Sequence, residues 1–251
     1  MSNLRFAAPV ERRVALVTGG ARGIGRASAL RMAEAGRDIV IVDLQDEHGQ
    51  SAVAEIEALG QKALYLPTDV TDEAAVHEAV ARTVATFGRL DILVCCAGIL
   101  GKEAPFLEQS AAQFDKVLKI NLYGIYYAHQ AAIPHMLAGG WGRCLSITSG
   151  ARFGATNQVP YGVSKGAVHS FIGALGNAYP KQNIFVNGVE PGRALTDMVV
   201  PRFTKEFLAD PGNPMGRYSD PEEVAEVIEF LCSERNTYTT GSVWSVKGAT
   251  G

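Results

Sequence analysis

Residues 14–25 read VALVTGGARGIG, an apolar β-forming run that passes through a glycine-rich turn into a helical pattern. Glycines at positions 19, 23 and 25 allow a tight turn, the approach of a phosphate to the backbone, and close packing of helix on strand. The first helical turn then offers free N–H groups and the positive end of the helix dipole. Glycine-rich turns also occur without ligands, but the order of strand, turn and helix predicts a dinucleotide-binding unit.

The pattern of the first strand recurs along the chain. Runs such as DIVIVD (38–43) and LDILVCC (90–96) are apolar throughout, which is typical of strands covered on both faces. They alternate with amphipathic stretches such as Asp72–Phe87 and Pro221–Cys232. This alternation predicts one Rossmann-type, doubly wound parallel α/β sheet of about seven strands, with helices on both faces. The predicted strands are Val14–Thr18, Asp38–Asp43, Ala63–Pro67, Leu90–Cys96, Cys144–Thr148, Ile184–Val189 and Ser242–Val246.

We expect residues 1–251 to form one domain, because no repeat, low-complexity tract or linker-like change in composition interrupts the chain. Residues 1–12 are expected to form an N-terminal tail. Residues 193–218 combine proline-containing breaks with mixed polarity between the last two strands. This segment is predicted to be a lid over the substrate site.

The bulk composition excludes several classes of protein. The chain carries 23 basic and 26 acidic residues, a net charge of −3, which does not indicate a surface built for nucleic acid. No apolar run approaches the roughly 20 residues that cross a bilayer, and the N-terminal stretch lacks the layout of a signal peptide. The four cysteines have no zinc-type spacing, and the adjacent Cys95 and Cys96 lie in an apolar run, as expected of reduced core thiols. We therefore expect a cytoplasmic protein without membrane or nucleic-acid partners.

Asp43 closes the second predicted strand, 18 positions after Gly25. An acidic side chain there can hydrogen-bond the ribose hydroxyls of NAD and would repel the 2′-phosphate of NADP. Asp43 could instead only cap the following turn. Arg22, in the glycine loop, could attract a 2′-phosphate or simply face solvent. On balance the sequence predicts NAD as the cofactor, with NADP less favoured.

Tyr161 and Lys165 are spaced i, i+4, so a helix would place phenol and ammonium on one face. A positive charge held there stabilises phenolate and lowers the pKa of the tyrosine. Such a phenol can exchange a proton with a substrate hydroxyl. The pair alone occurs by accident in many helices, but Ser149, at the end of the preceding strand, could hold the substrate oxygen beside Tyr161.

Taken in order, these motifs resemble those of the classical short-chain dehydrogenase/reductase family over essentially the whole chain. The resemblance implies a catalytic tetrad. Tyr161 would be the general acid and base, Lys165 would lower its pKa and anchor the ribose, and Ser149 would bind the substrate oxygen. Asn121 would hold a water that links Lys165 to a proton relay. The matched segments are Thr18–Gly25, Asp69-Val70, Cys95–Gly98, Asn121, Ser149, Tyr161 with Lys165, Pro191-Gly192 and Thr196.

The resemblance also completes the cofactor site. Asp69 and Val70 would contact the adenine, and Thr196 would orient the nicotinamide carboxamide. From the residues alone, Asp69 could only cap a turn and Asn121 could be a polar residue inside a helix. The candidate cofactor-binding residues are Gly19, Arg22, Gly23, Ile24, Gly25, Asp43, Asp69, Val70, Ala97, Gly98, Tyr161, Lys165, Pro191, Gly192 and Thr196.

The sequence departs from the family pattern at several places. Residues 95–98 read CCAG where the family usually has two asparagines before Ala-Gly, so an amide that braces the sheet is missing. The spacing from Ser149 to Tyr161 is one residue short of the common pattern, which leaves Thr148 as the alternative oxygen ligand. The chain ends VKGATG instead of the more usual Asn- or Asp-Gly-Gly.

Glu190 precedes Pro191-Gly192, where the family more often has a small residue. Because an unpaired buried carboxylate is costly, we expect either a hydrogen bond to neighbouring backbone or a contact with a second substrate hydroxyl. The latter would suit a polyol or sugar acid. Arg152 could bind an anionic substrate group or be solvated. Further pocket residues are expected at Phe153, Asn157 and Val159.

The sequence therefore predicts an NAD(H)-dependent oxidoreductase that interconverts a secondary alcohol and a ketone. The alternatives are a catalytically silent NAD(H)-binding regulatory or scaffold protein and an NADPH-dependent 3-oxoacyl reductase. An enoyl reductase or sugar epimerase fits less well, because the former branch has a wider tyrosine–lysine spacing and the latter a longer C-terminal domain. The family resemblance also implies a homotetramer.

Overall fold

Residues 12–196 and 213–249 are described by the structure, which is a computed structural model. Residues 1–11 of the expected tail and 197–212 of the expected lid therefore lie outside the described residues. So do the last two residues of the chain.

Seven parallel strands form one sheet in the order β3-β2-β1-β4-β5-β6-β7. This confirms the predicted doubly wound sheet. Each strand begins and ends within two residues of its predicted limits, since continuous apolar runs mark strands buried on both faces. The strands are β1 (Val14–Thr18), β2 (Asp38–Asp43), β3 (Ala63–Pro67), β4 (Ile92–Cys95), β5 (Gly142–Ile147), β6 (Ile184–Pro191) and β7 (Val243–Val246).

Helices cover both faces of this sheet. The first two and the last pack on one face, whereas the third, fifth and sixth pack on the other. The predicted amphipathic helices at 72–87 and 221–232 are present, each shortened by the one residue that caps it. The helices are α1 (Gly23–Glu34), α2 (Asp46–Ala58), α3 (Glu73–Phe87), α4 (Ala111–Leu118), α5 (Gly124–Gly139), α6 (Val159–Ala178) and α7 (Pro221–Leu231).

Alternate residues of β1 serve the two faces. Leu16 packs into the core beneath α3 and α5, and Val17 packs into the core beneath α1 and α2. Both side chains are almost completely buried. Burying a side chain of this size contributes about 1.5–3 kcal/mol. A strand that must satisfy two cores cannot alternate apolar with polar residues, which explains its uniform composition.

The order of the strands reverses between β1 and β4, and this reversal opens a crevice at their carboxyl ends. Gly19 follows β1 at that point with a φ of +65°. A Cβ on Gly19 would lie 2.6 Å from the Ala97 nitrogen, so only glycine fits. The glycine turn and the chain after β4 are therefore in direct backbone contact at the crevice.

The amino-terminal end of the sheet, opposite the crevice, is held by ion pairs of the buried Arg13. Arg13, just before β1, contacts Asp91 at 3.1 Å and Glu234 at 2.5 Å. Its guanidinium also lies 3.6 Å from the centre of a Trp141 ring.

Gly176→Ala should lower the free energy of unfolding by about 1–3 kcal/mol, the usual cost of overpacking. Its new Cβ would lie 2.2 Å from the Gly241 backbone. Gly173→Ala, one turn away on α6, is the matched control, because no other atom lies within 4 Å of that Cβ. It should gain up to about 1 kcal/mol from helix propensity. Urea unfolding checks both; equal effects would contradict this packing of α6.

Candidate active site

The glycine turn brings the start of α1 against the end of β1. A Cβ on Gly25 would lie 2.0 Å from the Gly19 carbonyl oxygen, and Gly23 has a φ of +53°. Arg22, the residue before the helix, makes no side-chain capping bond. Uncapped N–H groups at a helix start bind phosphate oxygens well. The turn therefore fits a pyrophosphate.

Asp43 braces this turn. One carboxylate oxygen accepts a 3.1 Å hydrogen bond from the Ala21 N–H, and the other accepts a 2.8 Å bond from the Leu44 N–H. An ionised carboxylate has about four acceptor positions, so two remain for further donors. Both the capping contact and the ribose contact considered from the sequence are compatible with this geometry.

Asp69 forms a turn cap after β3. Its Oδ1 accepts 2.8 Å bonds from both the N–H and the hydroxyl of Thr71. The neighbouring Val70 is buried against Gly124, where an added Cβ would lie 3.0 Å from the valine side chain. The contacts of both residues with adenine stay predictions.

Asn121 lies in a π-helical turn, Lys119–Tyr123, between α4 and α5. Its side chain is fully buried. Oδ1 accepts a 2.8 Å bond from the Ile99 N–H, while Nδ2 donates to the Ile99 carbonyl at 2.9 Å and to the Ser164 hydroxyl at 3.1 Å. Asn121 therefore clamps the chain just after Gly98. Neither Ile99 nor Ser164 was expected from the sequence.

Thr148 and Ser149 point in different directions. The buried Thr148 hydroxyl donates to the Val189 carbonyl at 3.2 Å, within the sheet. The Ser149 hydroxyl accepts a 3.2 Å bond from the Ala151 N–H and lies close enough to Tyr161 to lower the pKa of its phenol. Of the two alternatives, Ser149 is the hydroxyl beside Tyr161.

Lys165 lies behind the tyrosine on the same helix. Its Nζ donates to the Ile147 carbonyl at 2.7 Å and lies 5.7 Å from the centre of the Tyr161 ring. Burial lowers the pKa of Lys165 to about 8. Burial also raises the pKa of Tyr161, and Ser149 is the group that opposes this shift. Loss of hydration of the phenolate therefore dominates the pKa of Tyr161, and the role of Lys165 in lowering that pKa stays a prediction.

Cys95 and Cys96 occupy the positions where the family usually has asparagines. Burial raises the pKa of the Cys95 thiol to about 12, so it stays protonated at neutral pH. Its sulfur lies 4.0 Å from Nδ1 of the buried His129. The Ala97 N–H still points at the Thr18 hydroxyl, 3.5 Å away. All four cysteines are free thiols; Cys95 is buried as expected, whereas Cys96 is only half-buried.

Glu190 is fully buried, and it pairs with two cationic side chains in place of the expected backbone bond. Its contact with a second substrate hydroxyl stays a prediction. Arg152 Nε lies 2.5 Å from one oxygen, and Lys247 contacts the other. Burial opposes ionisation, but the bonds from Lys247 and Arg152 hold the pKa of Glu190 below its usual range. Lys247 was not expected; opposite charges at the ends of two neighbouring strands could have indicated it.

Gly192 and Thr196, the last candidate cofactor-binding residues, lie at the carboxyl end of the sheet. The Gly192 N–H donates to the Val246 carbonyl at 2.7 Å, and a Cβ on Gly192 would lie 2.8 Å from the Lys247 backbone. The Thr196 side chain lies 3.4 Å from the Cβ position of Gly23, beside the glycine turn. A dinucleotide that crossed the carboxyl ends of β1, β4 and β6 would therefore pass both sets of residues.

Across residues 12–196 and 213–249, no helix is both long and apolar enough to cross a membrane. In the same ranges no three His, Cys, Asp or Glu side chains are grouped as metal ligands.

Comparison with known proteins gives consistent matches. The family model described as enoyl-(acyl carrier protein) reductase matches residues 19–249. An L-rhamnose 1-dehydrogenase (NAD(P)(+)) from Sphingomonas sp. (strain SKA58) is 37% identical, over 95% of this chain and 96% of the relative. A cis-4-hydroxycyclohexanecarboxylate dehydrogenase from Sinomonas cyclohexanicum is 38% identical, over 94% and 95%. The solved structure of a 7α-hydroxysteroid dehydrogenase complexed with NADH and 7-oxo-glycochenodeoxycholic acid superimposes with a TM-score of 0.90, at 30% identity over 94% of this chain and 93% of that chain.

Asn121→Ala should lower the free energy of unfolding by about 2 kcal/mol or more, because both backbone groups of Ile99 lose their buried partners. Ser164→Ala is the control. It removes only the third bond of Asn121 and one bond to a carbonyl, and should cost about 1 kcal/mol. Urea unfolding measures both. Equal losses would show that the Ile99 clamp does not stabilise the site.

Proposed function

Because this chain belongs to the short-chain dehydrogenase/reductase family, we propose that it interconverts a secondary alcohol and a ketone with NAD(H) as cofactor. Its family uses nicotinamide cofactors for oxidation and reduction. The observation that carries the proposal is Lys165 on α6, whose Nζ lies 5.7 Å from the centre of the Tyr161 ring, together with Ser149, which is close enough to that phenol to lower its pKa. This group faces the same sheet edge as the glycine turn.

The residues present fit a bound dinucleotide. The glycine turn leaves no room for a Cβ at Gly19 or Gly25, and the start of α1 is uncapped. These backbone groups would hold the pyrophosphate, Asp43 the ribose, and Thr196 the carboxamide. When bound there, the nicotinamide supplies or takes up the hydride.

Side chains of this protein would transfer the proton to and from the substrate oxygen. Ser149 would hold the substrate oxygen by a hydrogen bond beside Tyr161. Since burial keeps Tyr161 protonated, its phenol is ready to donate a proton to a ketone oxygen during reduction. In oxidation the phenolate accepts that proton, and the charge of Lys165 would stabilise it. With a pKa of about 8, Lys165 provides this charge at neutral pH and loses it above pH 8.

Asp43 supports NAD over NADP. Its carboxylate lies at the glycine turn, bonded to Ala21. The negative charge of this carboxylate would repel a 2′-phosphate beside it, and the repulsion is stronger where solvent screening is reduced. Arg22 supports the alternative, an NADPH-dependent 3-oxoacyl reductase, because it could pair with that phosphate.

Two other functions have less support. A silent NAD(H)-binding protein would not need Ser149, Tyr161, Lys165 and Asn121 together in one site. An enoyl reductase is named in the description of the matching family model. The i, i+4 spacing of Tyr161 and Lys165 favours alcohol or ketone chemistry instead.

The relatives favour a small hydroxylated substrate. Their names specify a sugar and a hydroxylated ring carboxylate. We extend this to a ring or chain alcohol, including polyols and sugar acids, in the present protein. The single domain over residues 1–251, the lid at 193–218, the homotetramer and the cytoplasmic location stay predictions.

Tyr161→Phe should reduce kcat by at least about 10²–10⁴-fold while NADH affinity changes little, because only the proton donor is lost. NADH formation at 340 nm over a panel of secondary alcohols measures activity, and titration of NADH fluorescence measures affinity. Tyr238→Phe is the control, since that side chain is 98% exposed. Near-native kcat in the Tyr161→Phe variant would refute the assignment.

Asp43→Asn should raise the ratio of kcat/KM for NADP to that for NAD by about tenfold or more, equivalent to about 1.4 kcal/mol. The amide removes the charge but can still accept a backbone bond. Asp72→Asn, which alters the cap of α3, should leave the ratio unchanged. An unchanged ratio in the Asp43 variant, with a lower Tm, would mean that Asp43 only braces the turn.

A further inference from the structure

The charged cluster of Arg152, Glu190 and Lys247 joins a 3₁₀ turn to the ends of β6 and β7, beside the candidate catalytic hydroxyls. Glu190 is the last residue but one of β6, just before Pro191, and Lys247 directly follows β7. Arg152 lies in the short 3₁₀ turn that Ser149 caps, and its N–H donates to the Ser149 carbonyl at 3.1 Å. A Cβ on Gly150 would lie 3.8 Å from the Glu190 carboxylate. The cluster therefore adjoins the loop that carries Ser149.

The charges of the cluster do not cancel. Its carboxylate is ionised and contacts two cations, so the three side chains carry a net charge of +1. One cation would suffice to pair Glu190. The second leaves an excess positive charge in a site where solvent screening is reduced. An anion close to the cluster would balance it.

Arg152 still has donors to offer. Only Nε contacts Glu190, and within the described ranges the two terminal nitrogens have no partner. The guanidinium is also held over the Phe153 ring, 4.0 Å from its centre, while 18% of the side chain remains exposed. Glu190 and Phe153 thus fix the plane of the guanidinium and leave its two terminal nitrogens as donors unpaired by any described residue. A planar fork suits bidentate binding of a carboxylate.

The surroundings of the cluster are also basic. A small cavity of about 70 Å³ beside Lys247 is lined by Gly192, Arg193 and Arg217. Glu223, the acidic residue that lines this cavity, is already bonded to both terminal nitrogens of Arg217. Among the described residues no unpaired carboxylate lines this cavity to repel an anion.

We propose that the two terminal nitrogens of Arg152 bind a carboxylate of the substrate, with Glu190 as the positioning residue that orients Arg152. The substrate would then be a hydroxy acid, and its oxidised partner an oxo acid. This inference rests on the proposed function, since the hydroxyl of the same molecule must reach Ser149 and Tyr161. Glu190 is thereby a positioning residue and does not contact a second hydroxyl.

The first experiment compares two substrates that differ only in charge, 4-hydroxycyclohexanecarboxylate and 4-hydroxycyclohexanecarboxamide, with NAD⁺. Arg152→Gln should lower kcat/KM for the acid by about 10–100-fold, mainly through KM, as expected for a lost charge-assisted pair. The amide should change less than about threefold. Arg152→Lys should recover part of the activity on the acid. Lys181→Gln, an exposed lysine at the opposite end of β6, controls for overall charge.

The second experiment does not depend on turnover. Cyclohexanecarboxylate and cyclohexanecarboxamide, which lack a hydroxyl, are titrated calorimetrically into the NADH-loaded enzyme, and Tm is recorded for every variant. The acid should bind at least tenfold more tightly than the amide, and Arg152→Gln should abolish that difference without a loss of folding. Equal affinities, no binding of the acid, or equal weakening of both ligands in the variant would overturn the proposal. Binding of the acid without oxidation of any alcohol would contradict only the proposed function.

Discussion

The backbone contact between Gly19 and Gly25 is the constraint on which the site depends. The carbonyl of Gly19 occupies the space that a Cβ at position 25 would need, 2.0 Å away. This contact turns the chain from β1 directly into α1 and places the start of the helix at the crevice beside β4. The parallel sheet then delivers the ends of β5 and β6 to the same edge, because all its strands run in one direction. Ser149 and Glu190 reach the site for that reason alone.

The sequence could predict the features that depend on local patterns. The strands are predictable from continuous apolar runs, and the proximity of Tyr161 and Lys165 from their helical spacing. The different directions of Thr148 and Ser149 could not be predicted, since they depend on a bond between Thr148 and the Val189 carbonyl of another strand. The contact of Ser149 with a substrate oxygen stays a prediction. The pKa of Tyr161 could not be predicted in this way, because spacing indicates the nearby charge of Lys165 but not the burial that raises this pKa.

Glu190 illustrates how burial and function are combined. A buried carboxylate with no partner would be strongly destabilising, and the fold satisfies it with cations from two other loops. Pairing of this kind rarely adds net stability, because both partners lose hydration. The cluster is better explained by what it fixes, namely an arginine beside Ser149. Neither cation is near Glu190 in sequence, so its neighbours could not be read from local motifs.

The proposed chemistry reduces a carbonyl group and not a carbon–carbon double bond. The most direct test supplies NADH deuterated at C4 together with an oxo acid or a 2-enoyl thioester, and locates the label in the product by NMR. We expect deuterium at the carbinol carbon of the hydroxy acid, with no reduction of the enoyl compound. Deuterium at C3 of a saturated acyl chain, with the oxo acid unchanged, would contradict the proposed function.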